Sequence, residues 1–198
     1  SAMLLALTAC DMNENPKAQI GKNALFASEN GLKMYTNSFY DVMPGLGSGM
    51  TTWGNTANSA VTAYMGVRTF YTDNYTPSQE SSWSWGTLRN INYFLDNNTN
   101  NNVSESVRNN YNGLARFWRA VFYFDKIRTY NNVPWIDHAL DVDDALLTAT
   151  QDSREVISEH IYEDLQFAIN NISEAYNSTA SVVTSLVAAG EQSRFCLW

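Results

Sequence analysis

The chain has 198 residues, enough for one domain or for part of a larger one. Twenty acidic residues against twelve basic ones give a net charge of −8, which argues against a nucleic-acid partner, because contacts to phosphates need clustered Lys and Arg. Aromatic residues make up 13% of the sequence while charged residues make up only 16%, a balance that directs attention to the aromatic side chains.

The N-terminal segment, residues 3–10, is apolar and ends in Leu-Thr-Ala-Cys. This is the pattern of a bacterial lipoprotein processing site, in which small residues precede a cysteine that becomes the lipidated first residue. Because a basic n-region is absent, we interpret residues 1–10 as the remainder of a signal peptide and Cys10 as the lipidation site; a disordered apolar N-terminus is the alternative. Residues 11–27 form an acidic polar tether. A lipid on Cys10 would anchor the protein without spanning the bilayer.

Residues 28–43 are predicted to form the first helix. Ser28 is its N-cap, and Leu32, Tyr35, Phe39 and Val42 recur at helical spacing on one face. Pro44 then closes the helix.

A long stretch without sustained periodicity follows, residues 45–82, rich in Gly, Ser, Thr and Asn with aromatic residues between them. Irregular stretches of this length inside a domain are uncommon and often functional. Aromatic rings beside amides and carboxylates suit sugar binding, because pyranose C–H faces stack on flat rings while hydroxyls need polar partners. The alternative is that the rings hold a long loop onto the helices. The candidate ligand-binding residues in and next to this stretch are Trp53, Tyr71, Asp73, Tyr75 and Trp83.

Residues 83–95 are predicted to form a second helix with Trp85, Leu88, Ile91, Asn92 and Leu95 on one face. Asn92 is a candidate ligand contact. It is more simply explained as a buried amide that ties its helix to a neighbouring backbone, since buried amides are normally satisfied in this way. Asn-rich residues 97–102 form a linker.

The central stretch, residues 111–136, predicts a long helix, a sharp stop at Asn131 and an extended exit before Pro134. Its apolar residues cover nearly half of the helix circumference, wider than a surface helix needs, so we expect neighbours on both sides. Three basic residues are expected on the other, outer side: Arg116, Arg119 and Lys126. Asp125 falls in the apolar face, where a bare carboxylate is costly, and is expected to pair with Arg128 or Arg89.

Two further helices are predicted beyond this exit. An acidic loop with Asp141, Asp143 and Asp144 precedes them, but it lacks the Gly and Glu positions of an EF-hand and is interpreted as solvated. Residues 152–172 form a helix with Asp152 as its N-cap. Residues 181–198 begin another, and the absence of a terminal cap predicts that the sequence is truncated, with Val183, Leu186, Val187 and Leu197 partly exposed.

Four segments together resemble the SusD/RagB family of outer-membrane glycan-binding lipoproteins. The segments are Arg119-Ala120 with its aromatic run and Val133-Pro134, the Trp83 to Leu95 helix with Asn92, Ile161 with Asp164-Leu165, and the terminal helix. The resemblance implies a mainly α fold with TPR-like stacked helical pairs, an α-solenoid with long irregular loops. Residues 28–198 would be the N-terminal helical part of a larger SusD-like fold.

The same resemblance implies a function and partners. It indicates a non-catalytic protein on the extracellular face of the outer membrane, lipid-anchored, that captures an oligo- or polysaccharide. The partner it implies is a TonB-dependent outer-membrane transporter of the SusC-like kind, which imports the glycan.

Two other readings remain open from the residues themselves: a helical glycoside hydrolase, because two suitably spaced carboxylates need not be near in sequence, and a TPR-like scaffold that binds peptides. Catalysis finds little support, since His138 and His160 are the only histidines. No Gly-rich phosphate loop or zinc spacing occurs, so we expect no cofactor and no metal ligands. Nor is any run long and apolar enough to span a bilayer.

Overall fold

The fold is mainly helical, as the sequence predicts. The computed structural model of the protein describes residues 24–43, 83–176 and 182–198. Residues 24–26 are helical, and five α-helices follow among the described residues in the order α1 Glu29–Asn37, α2 Gly86–Asn97, α3 Glu105–Tyr130, α4 Arg154–Asn171 and α5 Ser185–Cys196. Short 3₁₀ helices, Ser38–Val42 and Ala145–Thr148, follow α1 and precede α4. Extended backbone pairs among the described residues only in the isolated bridge between Val133 and Asp152.

The helix ends follow local capping chemistry. The Ser28 hydroxyl accepts a hydrogen bond from Gly31 N, so the predicted N-cap of α1 is confirmed. Asn131 ends α3 with φ 68° and ψ −68°, the conformation of a γ-turn, across which Asn132 N donates to the Tyr130 carbonyl at 2.9 Å. The predicted cap of α4 is wrong by one residue: Ser153 is the N-cap, and the Asp152 carboxylate instead accepts from Trp135 N at 2.7 Å. The bridge to Val133 holds Asp152 in extended backbone, which directs its carboxylate to the exit of α3.

Successive helices pack as antiparallel pairs, which is the stacking predicted from the sequence. Trp85, before the start of α2, contacts the ring of Phe122 late in α3, while Asn98, after the end of α2, donates to the Arg108 carbonyl early in α3. Asn110 near the start of α3 accepts from Ser173 N just beyond α4. In each of these pairs, the start of one helix therefore lies beside the end of the other.

The last pair follows the same rule. Arg154, the first residue of α4, lies over the ring of Trp198 just beyond α5, whereas Gln192 of α5 bonds Gln166 later in α4. As a consequence, the start of α2, the end of α3, the start of α4 and the end of α5 all lie at one end of the stack. We call it the Trp83 end, after the first described residue there.

Helix α3 forms the centre of the core. Its predicted apolar face is buried except for Val121, which is half-buried. The prediction for the opposite side is wrong: Arg119 and Lys126 are only 6% and 5% exposed, because α2, α4 and the segment after Pro134 enclose the helix. Asp125, in contrast, is exposed. The 3₁₀ helix Ser38–Val42 covers the face of α3 on which Asp125 lies, but its Tyr40 packs on Trp118, two turns before Asp125.

The buried charged pair joins Arg119 to Asp164 of α4. Asp164 accepts from Arg119 Nε at 2.6 Å and from Nη2 at 2.8 Å, a bidentate arrangement. Burial lowers the pKa of Arg119, but the hydrogen bonds and charge of Asp164 outweigh this and the net shift is upward. Arg119 Nη1 also donates to Asn92 Oδ1 and to the Asp137 carbonyl. This guanidinium therefore ties together α2, α3, α4 and the exit segment.

Among the described residues, helix α5 has packing partners on one side. Ala188 and Phe195 are buried against α4 and α3, while Leu186, Val187 and Leu197 are exposed, as predicted. Val183 is a correction: it is 5% exposed, and its backbone N donates to the Tyr40 hydroxyl. Gly190 does not interrupt the helix. Among the described residues, no helix combines the length and apolarity needed to cross a membrane.

Candidate functional site

Most of the predicted site lies outside the described residues. Trp53, Tyr71, Asp73 and Tyr75 belong to the undescribed stretch between α1 and α2, and Cys10 precedes α1. Their assignments as ligand contacts and lipidation site therefore stay predictions. Trp83 is the candidate that the structure places.

Trp83 presents a ring at the surface that two neighbouring rings hold in position. Its residue is 43% exposed, directly before α2. The ring meets Trp85 edge-on at a centroid distance of 5.0 Å and Tyr130, the last residue of α3, at 4.7 Å. Such edge-to-face contacts are favoured and limit ring rotation. The result is a fixed, partly open aromatic surface at the Trp83 end.

A buried cation lies beneath these rings. Lys126 Nζ is 5.0 Å from the ring centroid of Phe122, 5.5 Å from Trp85 and 5.7 Å from Tyr130. Each distance is within the range of a cation–π interaction, which is stronger when the ammonium group has lost water. Lys126 thus stabilises the ring cluster from inside. Sequence periodicity placed this lysine on the outer side and missed its role.

Asn92 has the structural role that was the simpler of its two explanations. Its amide nitrogen donates to the carbonyl oxygens of Ile136 at 2.8 Å and His138 at 3.2 Å, and its oxygen accepts from Arg119. The Tyr123 hydroxyl holds the same segment, accepting from Ile136 N at 2.7 Å. These bonds fix the exit segment against α2 and α3. The nitrogen and the oxygen of the Asn92 side-chain amide are both bonded within the protein, so this amide does not face a ligand.

The acidic loop is organised by a histidine. His138 Nδ1 lies 2.8 Å from Asp137 Oδ1, and its Nε2 lies 2.7 Å from Asp144 Oδ2. Hydrogen bonds to the two carboxylates raise the pKa of His138 to about 9. The carboxylates occupy opposite ring nitrogens, so they do not converge on one point. Within the described ranges, no three His, Cys, Asp or Glu side chains converge as metal ligands.

The other histidine also packs structurally. His160 stacks on Trp135 at a centroid distance of 4.3 Å and an interplanar angle of 11°, and its Nδ1 is 3.5 Å from Glu163. Trp135 is in turn near the Arg119 guanidinium, at 5.1 Å. In the part of the chain that the structure describes, the partners of the two histidines are carboxylates and a Trp ring, and they include no Ser or Cys nucleophile.

Comparison with known proteins assigns the family. The model of the SusD-like_2 family, described as starch-binding and associating with the outer membrane, matches residues 7–195. The chain belongs to this family. A SusD-like protein from Bacteroides fragilis NCTC 9343 has a similar structure, with a TM-score of 0.72 at 20% identity over 93% of this chain. This chain covers 37% of that protein's length. None of the curated proteins matches.

The segments that carry the resemblance to the SusD-like family contact one another in the structure. Arg119 and Asp164, which the resemblance matched in separate segments, are bonded to each other, and Asn92 from a third segment completes the network. Val133 and Pro134 form the exit that this network holds. The recognised residues of this SusD-like chain therefore build the helical scaffold, while Trp83 is left at the surface.

Proposed function

We propose that this protein binds a glycan at the cell surface without cleaving it and passes it to a transporter. Its membership of a family described as starch-binding and associating with the outer membrane is the observation that carries the proposal. The partner would be a TonB-dependent, SusC-like transporter of the outer membrane. A lipid on Cys10 would hold the protein on the extracellular face.

Trp83 supports the glycan part of the proposal. Its ring is held on two edges by Trp85 and Tyr130 and is exposed in part, so little conformational entropy is lost when a sugar stacks on it. One such contact contributes about 1 kcal/mol, by analogy with other aromatic contacts. Affinity therefore requires several contacts, which the predicted residues Trp53, Tyr71, Asp73 and Tyr75 would supply. Modest affinity suits a protein that must release its ligand.

Replacement of Trp83 tests the site. The full-length protein and its Trp83→Ala variant are run in native gels containing soluble starch or other neutral glycans. Trp83→Ala should show weaker retention while its melting temperature stays near that of the parent. Tyr162→Ala is the matched control, because Tyr162 is exposed to a similar degree, 47%, on α4. Equal retention of the parent and Trp83→Ala would remove Trp83 from the site.

Two further measurements test the remaining parts. The first is an assay for reducing ends during incubation with the glycan. Their release would contradict the binding-protein proposal and favour a glycoside hydrolase. In the precursor, Cys10→Ser should abolish labelling by a radioactive fatty acid and release the protein from membranes. Persistent labelling would refute the anchor.

A further inference from the structure

Three arginines from three helices meet on two touching aromatic rings at the Trp83 end. The guanidinium carbon of Arg154 lies 3.7 Å from the ring centroid of Trp198, and those of Arg194 and Arg128 lie 5.0 and 5.6 Å from that of Phe124. The rings of Phe124 and Trp198 are in edge contact at 5.2 Å. We call this group the arginine cluster. It is notable in a chain of net charge −8.

Two members of the arginine cluster make no ion pair among the described residues. Arg194 is bonded to Glu191 at 2.6 Å, but neither Arg128 nor Arg154 has such a partner. Glu155, next to Arg154 in sequence, feels the charge of that arginine without forming an ion pair with it. Within the described ranges, no acidic side chain therefore compensates the charge of these two guanidinium groups by direct contact.

Stacking leaves the hydrogen-bonding edge of a guanidinium group available. A guanidinium group that lies over a ring uses its face, while its N–H donors point sideways in a fixed fork that matches a carboxylate or a sulfate. The guanidinium carbon of Arg154 approaches its ring closely, at 3.7 Å from the centroid, and that of Arg128 lies farther away, at 5.6 Å. Arg128 is exposed and Arg154 is half-buried, so both side chains reach solvent at least in part. The ring contacts also reduce the entropy lost when an anion binds.

The geometry points to a binding site for the acidic groups of a polysaccharide, uronic carboxylates or sulfate esters, in which Arg128 and Arg154 donate to the anion. This inference rests on the proposed function, because it names the class of glycan. A glycan is favoured over other polyanions because the arginine cluster and the open ring of Trp83 lie at the same end of the stack. Tyr130, which holds Trp83, and Arg128 are two residues apart near the end of α3 and lie on different faces of the helix, so a glycan that contacts both must cross the Trp83 end.

The experiment compares an acidic glycan with a neutral one. Retention in native gels is measured for polygalacturonate and for soluble starch of similar length, using the full-length protein. The single variants Arg128→Gln and Arg154→Gln should each weaken polygalacturonate binding by about threefold to tenfold, the range expected for a lost charge-assisted hydrogen bond at a partly exposed site. Lys33→Gln removes the same charge from an exposed position of α1 and should leave binding unchanged.

Two readouts separate a site from general charge. Arg154→Lys keeps the charge but loses the fork, so it should recover only part of the binding. Added salt should weaken polygalacturonate binding in the parent more than in Arg128→Gln. If Lys33→Gln weakens binding as much as Arg128→Gln, or polyglutamate of equal charge binds as tightly as polygalacturonate, the inference is overturned.

The outcomes also separate this inference from the proposed function. Starch retention that depends on Trp83 but not on Arg128 or Arg154, together with no preference for polygalacturonate, overturns the acidic-glycan inference and leaves glycan binding intact. Absence of retention on every glycan overturns both.

Discussion

Arg119 and Asp164 place a charged pair inside the helical stack, with side chains 7% and 3% exposed. Removing two charges from water is costly, and their attraction offsets that cost only when the remaining hydrogen-bonding groups are also satisfied. Here Asn92 and the Asp137 carbonyl complete the bonding of the guanidinium group. The pair is therefore most sensitive to losing one member, because the other is left buried without its counter-charge.

Single replacements within this pair should be strongly destabilising. We expect Asp164→Leu and Arg119→Met each to lower the free energy of unfolding by about 3–5 kcal/mol, and the double variant to lose less than the sum. Urea unfolding followed by circular dichroism measures these values. Asp125→Leu is the control and should change stability by no more than about 0.5 kcal/mol, since Asp125 is exposed. An equal loss in Asp125→Leu and Asp164→Leu would contradict the assignment of the pair.

His138 gives the stability a defined pH dependence. Its pKa in the folded protein is about 9, against about 6.5 when unfolded. A raised folded-state pKa adds stability that is fully present below pH 6.5 and is lost as the pH rises through 9. Asp137 and Asp144 have lowered pKa values, so the same contacts weaken again in acid as these carboxylates protonate.

We therefore expect the parent to exceed His138→Gln in melting temperature at pH 6, with the difference shrinking towards pH 10. The effect should be small because the His138 side chain is 43% exposed. An NMR titration measures the pKa of His138 directly. A midpoint near 6.5 would show that the two carboxylates do not hold the ring in solution.

Periodicity identified the apolar face of α3 but not how far along the helix the neighbouring elements cover that face. Asp125 lies on the same line of α3 as Leu114 and Trp118, so the pattern placed it in the core; the neighbours on that side pack two turns earlier. Arg119 shows the opposite error, because the pattern placed it on the outer side and the structure buries it. Its partner Asp164 lies 45 positions later in another helix, and no local signal connects the two.

At the scale of elements, the sequence predicted the helices well and their contacts poorly. Ser28 and Asn131 marked helix ends that the structure confirms, because capping and tight turns depend on local chemistry. The arginine cluster could not be predicted from the sequence. Arg128, Arg154 and Arg194 come from three helices that meet only through antiparallel packing, so no basic run appears in the chain.

Two glycines within helices provide a matched test of how closely α3 and α4 approach. A Cβ atom on Gly113 of α3 would lie 2.9 Å from Ile172 Cγ1 and 3.4 Å from Ile172 N, whereas a Cβ atom on Gly190 of α5 would meet nothing within 4 Å. Alanine gains about 1 kcal/mol over glycine in a helix interior, and overpacking costs about 1–3 kcal/mol.

Gly190→Ala should therefore stabilise the protein by about 0.5–1 kcal/mol, while Gly113→Ala should destabilise it by about 1 kcal/mol. Thermal unfolding under identical conditions measures both. A similar gain in the two variants would mean that Ile172 moves away without cost, and that the approach of the helices at Gly113 is looser than described.

At the scale of the whole molecule, α5 is covered by α4 on one side and exposes apolar side chains on the other. Leu186 is 74% exposed and Leu197 is 89% exposed, three turns apart along nearly the same line of the helix, with Val187 beside the first at 48%. Exposed apolar patches of this kind mark interaction surfaces or cause self-association.

A protein of this sequence should accordingly bind a hydrophobic dye such as ANS and self-associate as its concentration rises. Leu186→Glu combined with Val187→Glu should lower both dye fluorescence and light scattering, because two charges interrupt the apolar line. Met34→Glu is the control: Met34 is 61% exposed on α1, far along the chain from α5, and should leave both signals unchanged. A monodisperse monomer with no dye binding would show that the exposed side of α5 is too small or too interrupted to act as a surface, since isolated apolar residues are ordinary on soluble proteins.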